Sequence, residues 1–182
     1  MHKILLISFA AFAFACSGGS DNTTTEKTDS IKTDTTRVVA PATDHTGTYE
    51  YVNPYNSLDL IHNHYIVLHK NSDDTYSGRY YGVTDLFDAD RTEYAAGFFV
   101  LPMQNIVIEG ENLNFELIPA QEDFFNEVID LSMMSSGDAK AAGFTAWEVY
   151  TQWDPKKFEA KIQGGSITLL NQVEDMTFIP MN

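Results

Sequence analysis

From Gly47 to the C-terminus, short runs of alternating apolar and polar residues are separated by turn-forming residues. Alternate residues of a β-strand face the same side of a sheet, so the alternation predicts strands with one buried face. The runs cover residues 47–52, 58–70, 75–85, 94–101, 106–109, 113–117, 158–163, 167–171 and 176–179. About eight to ten short antiparallel strands in one sheet tend to close or fold over. We therefore predict a mainly β fold, an antiparallel β-barrel, with a two-sheet β-sandwich as the alternative.

Two segments depart from the alternation. Residues 122–134 carry apolar side chains at helical spacing, with two acids at the start, which predicts a helical insertion near residues 122–142. Its apolar positions are Phe124, Phe125, Val128, Ile129 and Leu131, and Gly137 is expected to end it. Residues 146–153 fit a helix or a strand. Their aromatic and β-branched composition, followed by Asp154-Pro155, favours the strand.

The N-terminus begins with a short basic region and an apolar run over residues 4–14, followed by the single cysteine of the chain, Cys16. The run is too short to cross a bilayer, so residues 1–15 are predicted to be a secretory signal peptide. Ala13-Phe14-Ala15-Cys16 resembles the lipobox of bacterial lipoproteins. The resemblance implies that Cys16 is lipidated. It also implies that the protein is anchored to the cell outer membrane, facing the periplasm or the cell surface.

Residues 16–46 are dominated by Thr, Ser and Asp, a composition that buries too little surface to fold. We expect a disordered tether here and a single β-barrel domain over residues 47–182. From Gly47 onward the chain carries 21 acidic and 7 basic residues. This strong negative charge argues against nucleic-acid binding, which requires a basic surface.

The domain also resembles the lipocalin-like or calycin-type β-barrels found on bacterial lipoproteins. The resemblance rests on Gly47-Thr48-Tyr49, on the stretch 76–82, and on two closing strands joined by a short turn. It implies a barrel. The chain also contains twelve Phe, nine Tyr and two Trp, and apolar cavities are commonly lined by aromatic side chains with a few polar groups, so we expect the barrel to bind a small apolar or amphipathic ligand, although these residues would equally fill a core.

Four residues are candidates for ligand binding. His62 and His64 are two apart on one strand and so face the same side, together with Ile66. Arg79 and Tyr81 share a face in the same way, and an interior Arg79 would need an anionic partner.

We predict no metal or cofactor. Zinc needs three or four ligands, and the spacing around His62 and His64 supplies no third one. The acidic run Asp85, Asp88, Asp90 and Glu93 lacks the glycine and the final acid of a calcium loop.

These observations predict a lipid-anchored envelope protein whose barrel binds a small apolar or amphipathic ligand. One alternative is a non-catalytic accessory module with a packed core that binds an envelope protein. A third is a hydrolase with its site at the mouth of the barrel. We assign no catalytic residue, because the chain has no Gly-x-Ser-x-Gly elbow, phosphate-binding loop or His-Glu-x-x-His helix.

Overall fold

The computed structural model describes residues 43–56, 63–88, 92–150, 152–170, 172 and 175–182. The predicted signal peptide, Cys16 and most of the predicted tether therefore lie outside the described residues. Within them the strands are β1 (Gly47–Tyr51), β2 (His64–Lys70), β3 (Tyr76–Asp88), β4 (Glu93–Glu109), β5 (Asn112–Leu117), β6 (Phe124–Phe125), β7 (Lys156–Gln163), β8 (Ser166–Leu169) and β9 (Met176–Pro180). A 3₁₀ turn (Gln121–Asp123) and a short α-helix, α1 (Ser136–Ala141), lie between β5 and β7.

Eight strands form a closed, antiparallel, lipocalin-like β-barrel, which confirms the predicted fold class. With β6 set aside, each strand pairs with the next one along the chain. The pairing of Tyr49 with Pro180 joins β1 to β9 and closes the ring. β6 is a two-residue addition to the edge of β4. Closure gives each of the eight barrel strands a partner on both sides over part of its length, which limits free edges.

The barrel interior is filled by the alternating apolar residues of its strands. Leu113, Phe115 and Leu117 of β5 are buried, and they pack with Phe158, Ala160 and Ile162 of β7 in one core. Burial of each large apolar side chain contributes about 1.5–3 kcal/mol. Ile66 and Leu68 belong to this core, so the predicted inward face of β2 is confirmed.

The prediction of a strand ending before Pro102 is wrong. β4 is one strand of 17 residues that passes through Pro102. Between Phe99 and Gln104, the edge of β4 that faces away from β3 has no strand partner, so a residue without an N–H is tolerated there. The register shifts between Gln104 and Val107, and the positive φ of Asn105 (52°) marks the irregularity.

The helical insertion lies where it was predicted, but its internal structure differs. Residues 124–125 form β6, and the helix begins only at Ser136, so Gly137 lies inside it. Phe124 and Phe125 are both buried because they occupy opposite faces of a strand. Phe125, Ile129 and Ala139 pack on the outer wall of β3 and β4, forming a second core. Burial of both faces of this short strand placed adjacent apolar residues in the sequence, and this pattern had predicted a helix.

The predicted strand over residues 146–153 is also wrong. Its only strand-like feature among the described residues is a bridge from Ala146 to Phe125. The amide side chain of Gln121 donates to the backbone oxygens of Trp147 and Val149, at 3.4 and 3.1 Å. These side-chain bonds take the place of a strand partner. In the described part of the chain, no helix has the length and apolarity needed to cross a bilayer.

Candidate binding cavity

The two ends of the barrel differ in their chain segments. At the turn end, residues 71–75, 110–111 and 164–165 connect the strands, and the N-terminal residues 43–46 lie beside them. At the cavity end, β1, β3, β5 and β8 finish, and the insertion between β5 and β7 is attached. The candidate site lies at the cavity end.

A cavity of about 150 Å³ opens at this end. Five phenol, phenyl or indole rings line it: Tyr80, Phe99, Phe124, Trp153 and Phe158. Its polar lining residues are His64, Thr84, Lys156 and Gln172. An apolar lining with a few polar groups is typical of small-molecule sites. The volume is close to that of cavities that hold benzene, and smaller than sites for drug-sized ligands.

His64 and Tyr80 form a hydrogen-bonded pair in the cavity wall. The Nδ1 atom of His64 lies 2.8 Å from the hydroxyl oxygen of Tyr80. Burial, with a smaller contribution from the phenol of Tyr51, raises the pKa of Tyr80 well above its usual range. The phenol therefore stays protonated and acts as a neutral hydrogen-bonding group rather than as a base. Tyr80 also stacks on Phe99 and Phe158, with ring centroids 6.1 and 6.0 Å apart.

The insertion supplies one wall of the cavity. Phe124 stacks on Trp153 with centroids 4.5 Å apart, and it meets Phe99 of the barrel edge-on at 5.2 Å. Trp147 lies behind these rings, 5.6 Å from Phe124. A Cβ atom on Gly97 would meet the Trp147 ring at 2.7 Å, so glycine allows this ring to lie directly on β4.

The indole nitrogens of Trp147 and Trp153 are buried, and neither donates to any described residue. A buried N–H without a partner destabilises a fold by about 1–3 kcal/mol, so such groups are usually satisfied. Trp153 lines the cavity, but its indole nitrogen has almost no accessible surface, so the N–H does not open onto the cavity.

The structure separates the four sequence candidates. His64 lines the cavity, whereas His62 lies outside the described residues. Arg79 and Tyr81 share a face, as predicted, but this face is the outer wall beneath the insertion. The Tyr81 hydroxyl donates toward the backbone oxygens of Leu131 and Met133, at 3.2 and 2.6 Å, and accepts from Arg79 Nε at 3.1 Å. Both residues hold the insertion and do not reach the cavity.

The cavity residues Tyr80, Phe124, Trp153 and Lys156 were missed from the sequence. They come from separate parts of the chain, and no local spacing connects them. The only signal was the abundance of aromatic residues, which fits a packed core equally well.

The acidic residues near the end of β3 form no metal site in the described structure. The described residues contain no group of three or more His, Cys, Asp or Glu side chains that could hold a metal ion. Asp85 is exposed, and residues 89–91 lie outside the described part of the chain.

The turn end has a wider groove of about 590 Å³, but its lining is of another kind. It includes Asp44, Lys70, Asp74 and Glu111, and glycines 110, 164 and 165. Lys70 and Asp74 pair with each other at 2.7 Å. Tyr49, Tyr76, Ile108 and Ile162 also line it, so the groove is of mixed polar and apolar character. The smaller cavity has the more aromatic lining and is the better candidate site.

Comparison of the chain with protein-family models, with curated proteins and with solved structures gave no significant match.

Proposed function

We propose that this protein is a binding module that holds a small, largely apolar ligand in the aromatic cavity of its barrel. The observation that carries the proposal is the cavity itself, in which aromatic rings line about 150 Å³ at one end of the barrel. A ligand of six to ten non-hydrogen atoms, roughly the size of benzene or a little larger, fits the volume.

The Tyr80 hydroxyl supports binding more than catalysis. A hydrolase at the barrel mouth would need a group that accepts a proton near neutral pH. Burial raises the pKa of Tyr80, which keeps its hydroxyl protonated. Tyr80 is therefore a hydrogen-bonding group and not the proton acceptor of a hydrolase.

Native mass spectrometry of the full chain, purified gently from cells, tests the proposal. We expect a reproducible additional mass that disappears on denaturation. Thr84→Phe places a ring at the cavity lining and should remove that mass. Ile108→Phe places the same ring at the groove of the turn end and is the matched control. A bare mass, together with no rise in melting temperature on addition of toluene or indole, would contradict the proposal.

We further propose that Cys16 carries a lipid anchor that holds the protein at the outer membrane. The support is the lipobox-like sequence Ala13-Phe14-Ala15-Cys16. A double acyl anchor gives stable membrane attachment. The chain joins the barrel at the turn end, so the tether is attached opposite the cavity. Cys16→Ser should release the protein from membranes and remove metabolic labelling by palmitate, whereas Ser17→Ala should change neither.

An envelope protein partner is a second candidate, favoured by exposed tyrosines. Tyr55, Tyr94 and Tyr150 are 77, 74 and 83% exposed, and all three lie in segments at the cavity end. Tyrosine is enriched in protein interfaces. Photo-crosslinking from position 150 in cells should capture a defined partner if this face docks one, and crosslinking from exposed Ile179 is the control. Equal labelling from both positions would remove this candidate.

A further inference from the structure

The cavity lining has a charge pattern unlike that of the rest of the domain. Its described lining includes one lysine, Lys156, and no Asp or Glu. Yet from Gly47 onward the chain carries 21 acidic residues and only 7 basic ones. A positive charge in a lining whose described residues include no carboxylate favours an anionic occupant.

Lys156 is an exposed residue at the start of β7, on the strand face that farther along points to the interior. Phe158, Ala160 and Ile162 face the core, and Lys156 has the same parity. In the described structure Lys156 has no ion pair, although the neighbouring Lys157 binds Glu116 at 2.9 Å on the outer face. The lysine at the mouth is thus available to a ligand, while its neighbour is engaged by the protein.

Lys156 is the one lysine or arginine among the described lining residues, and its ammonium group can donate to the oxygens of a carboxylate. The Trp153 indole N–H is covered by protein atoms and does not open onto the cavity. A phosphate is more often held by several backbone N–H groups or by arginine, which this lining does not offer.

The rings define the shape of the remaining ligand. Tyr80, Phe99 and Phe158 stack nearly parallel, with interplanar angles of 12 and 22° to Tyr80, and Phe124 stacks on Trp153 at 14°. Flat walls around a benzene-sized space favour a single planar ring. Resting on the proposed function, we infer that the ligand is a small aromatic carboxylate, with its ring among these side chains and its carboxylate toward Lys156.

Calorimetric titration of the full chain with benzoate, benzamide and toluene tests this inference. The three probes share one ring and differ in the charge and polarity of the substituent. Both tryptophans of the chain lie at this end, so their fluorescence reports independently whether a probe occupies the cavity. We expect benzoate to bind about tenfold more tightly than benzamide, because a charge-assisted hydrogen bond is stronger than a neutral one.

Lys156→Gln should reduce benzoate binding to the level of benzamide and leave toluene binding unchanged. Lys157→Gln removes the same charge one residue away, on the outer face, and should preserve the tenfold preference. If all three probes bind the wild type with equal affinity, the carboxylate inference is wrong but the proposed function stands. If none binds or alters tryptophan fluorescence, the proposed function fails as well.

Discussion

The two ends of the barrel differ in the hydrogen-bond partners of their buried aromatic residues. At the turn end, the Tyr49 hydroxyl donates to the backbone oxygen of His45 at 2.9 Å, and Tyr76 accepts from the His45 N–H at 3.2 Å. The N-terminal segment thus satisfies both phenols. At the cavity end, Tyr80 bonds to a side chain, and the indole N–H groups of Trp147 and Trp153 lack partners in the described structure.

Volume alone therefore does not select the candidate site. The groove at the turn end is the larger space, but Lys70 and Asp74 in its lining pair with each other. The smaller cavity has a largely aromatic lining. The contrast predicts that changes at the cavity end affect ligand binding and stability together, whereas changes at the turn end affect stability alone.

The largest expected effect is that of Phe124→Ala. Phe124 is 1% exposed and contacts rings of both the barrel and the insertion. Its removal should lower the free energy of unfolding by about 3–5 kcal/mol, as for other buried aromatic residues. Urea denaturation measures this change. A loss below about 1 kcal/mol would mean that the aromatic layer at the cavity end is not well packed.

Gly97→Ala should have the next largest effect. The new methyl group would lie 2.7–2.9 Å from three Trp147 ring atoms, so the indole must move. Overpacking of this kind typically destabilises by about 1–3 kcal/mol. Thermal unfolding and tryptophan emission should both change. Gly137→Ala is the control, because a Cβ there meets only Ser135 Oγ at 3.4 Å, and it should leave both signals nearly unchanged.

Alkaline pH should destabilise the protein through Tyr80. Burial raises the folded-state pKa of Tyr80 above the ordinary value of 10.0, so the unfolded state loses its phenolic proton first. The free energy of unfolding is therefore unaffected by this proton below pH 10. Above pH 10 it falls by about 1.4 kcal/mol per pH unit, because the unfolded state has lost the proton and the folded state has not. Urea melts of the wild type and Tyr80→Phe at pH 9 and pH 11 measure this difference.

Tyr49 provides the comparison at the turn end. Burial also raises the pKa of Tyr49, but this tyrosine is less deeply buried than Tyr80. Tyr49→Phe should therefore remove less of the alkaline loss than Tyr80→Phe does. Equal effects of the two variants would contradict the difference in burial between the two ends.

The smallest effect is expected from Arg79→Gln. Arg79 lies on the outer wall and bonds to Tyr81, which holds the insertion. Affinity for benzoate or toluene should stay within about twofold of the wild type, while stability falls by about 0.5–1.5 kcal/mol through the lost hydrogen bond. If Arg79→Gln weakened benzoate binding more than about tenfold, Arg79 would have to contact the ligand, which would contradict its position outside the cavity.

The barrel strands could be predicted because alternation is a local signal. Ile66 and Leu68 are core residues two apart, and this period also placed His64 inward. The signal failed where both faces of a strand are buried. Tyr80 and Tyr81 are 3 and 2% exposed, one facing the barrel core and the other the insertion, so sequence could not decide which face Arg79 shares.

The cavity could not be predicted because long-range packing assembles it. Tyr80 meets His64 across two strands, and Trp153 reaches Phe124 from beyond the helix of the insertion. Such contacts depend on closure of the barrel and on the path of the insertion. The spacing of residue types along the chain indicates neither the closure of the barrel nor the path of the insertion.

The most direct test of the central claim is the position of a heavy-atom ligand in a crystal of this protein. Crystals soaked with 4-bromotoluene should show an anomalous bromine peak among Tyr80, Phe124 and Trp153 at the cavity end. Crystals of Thr84→Phe should lose that peak. A bromine peak in the groove beside Lys70 and Glu111, or no peak at the cavity end, would contradict the proposal that this end of the barrel holds an apolar ligand.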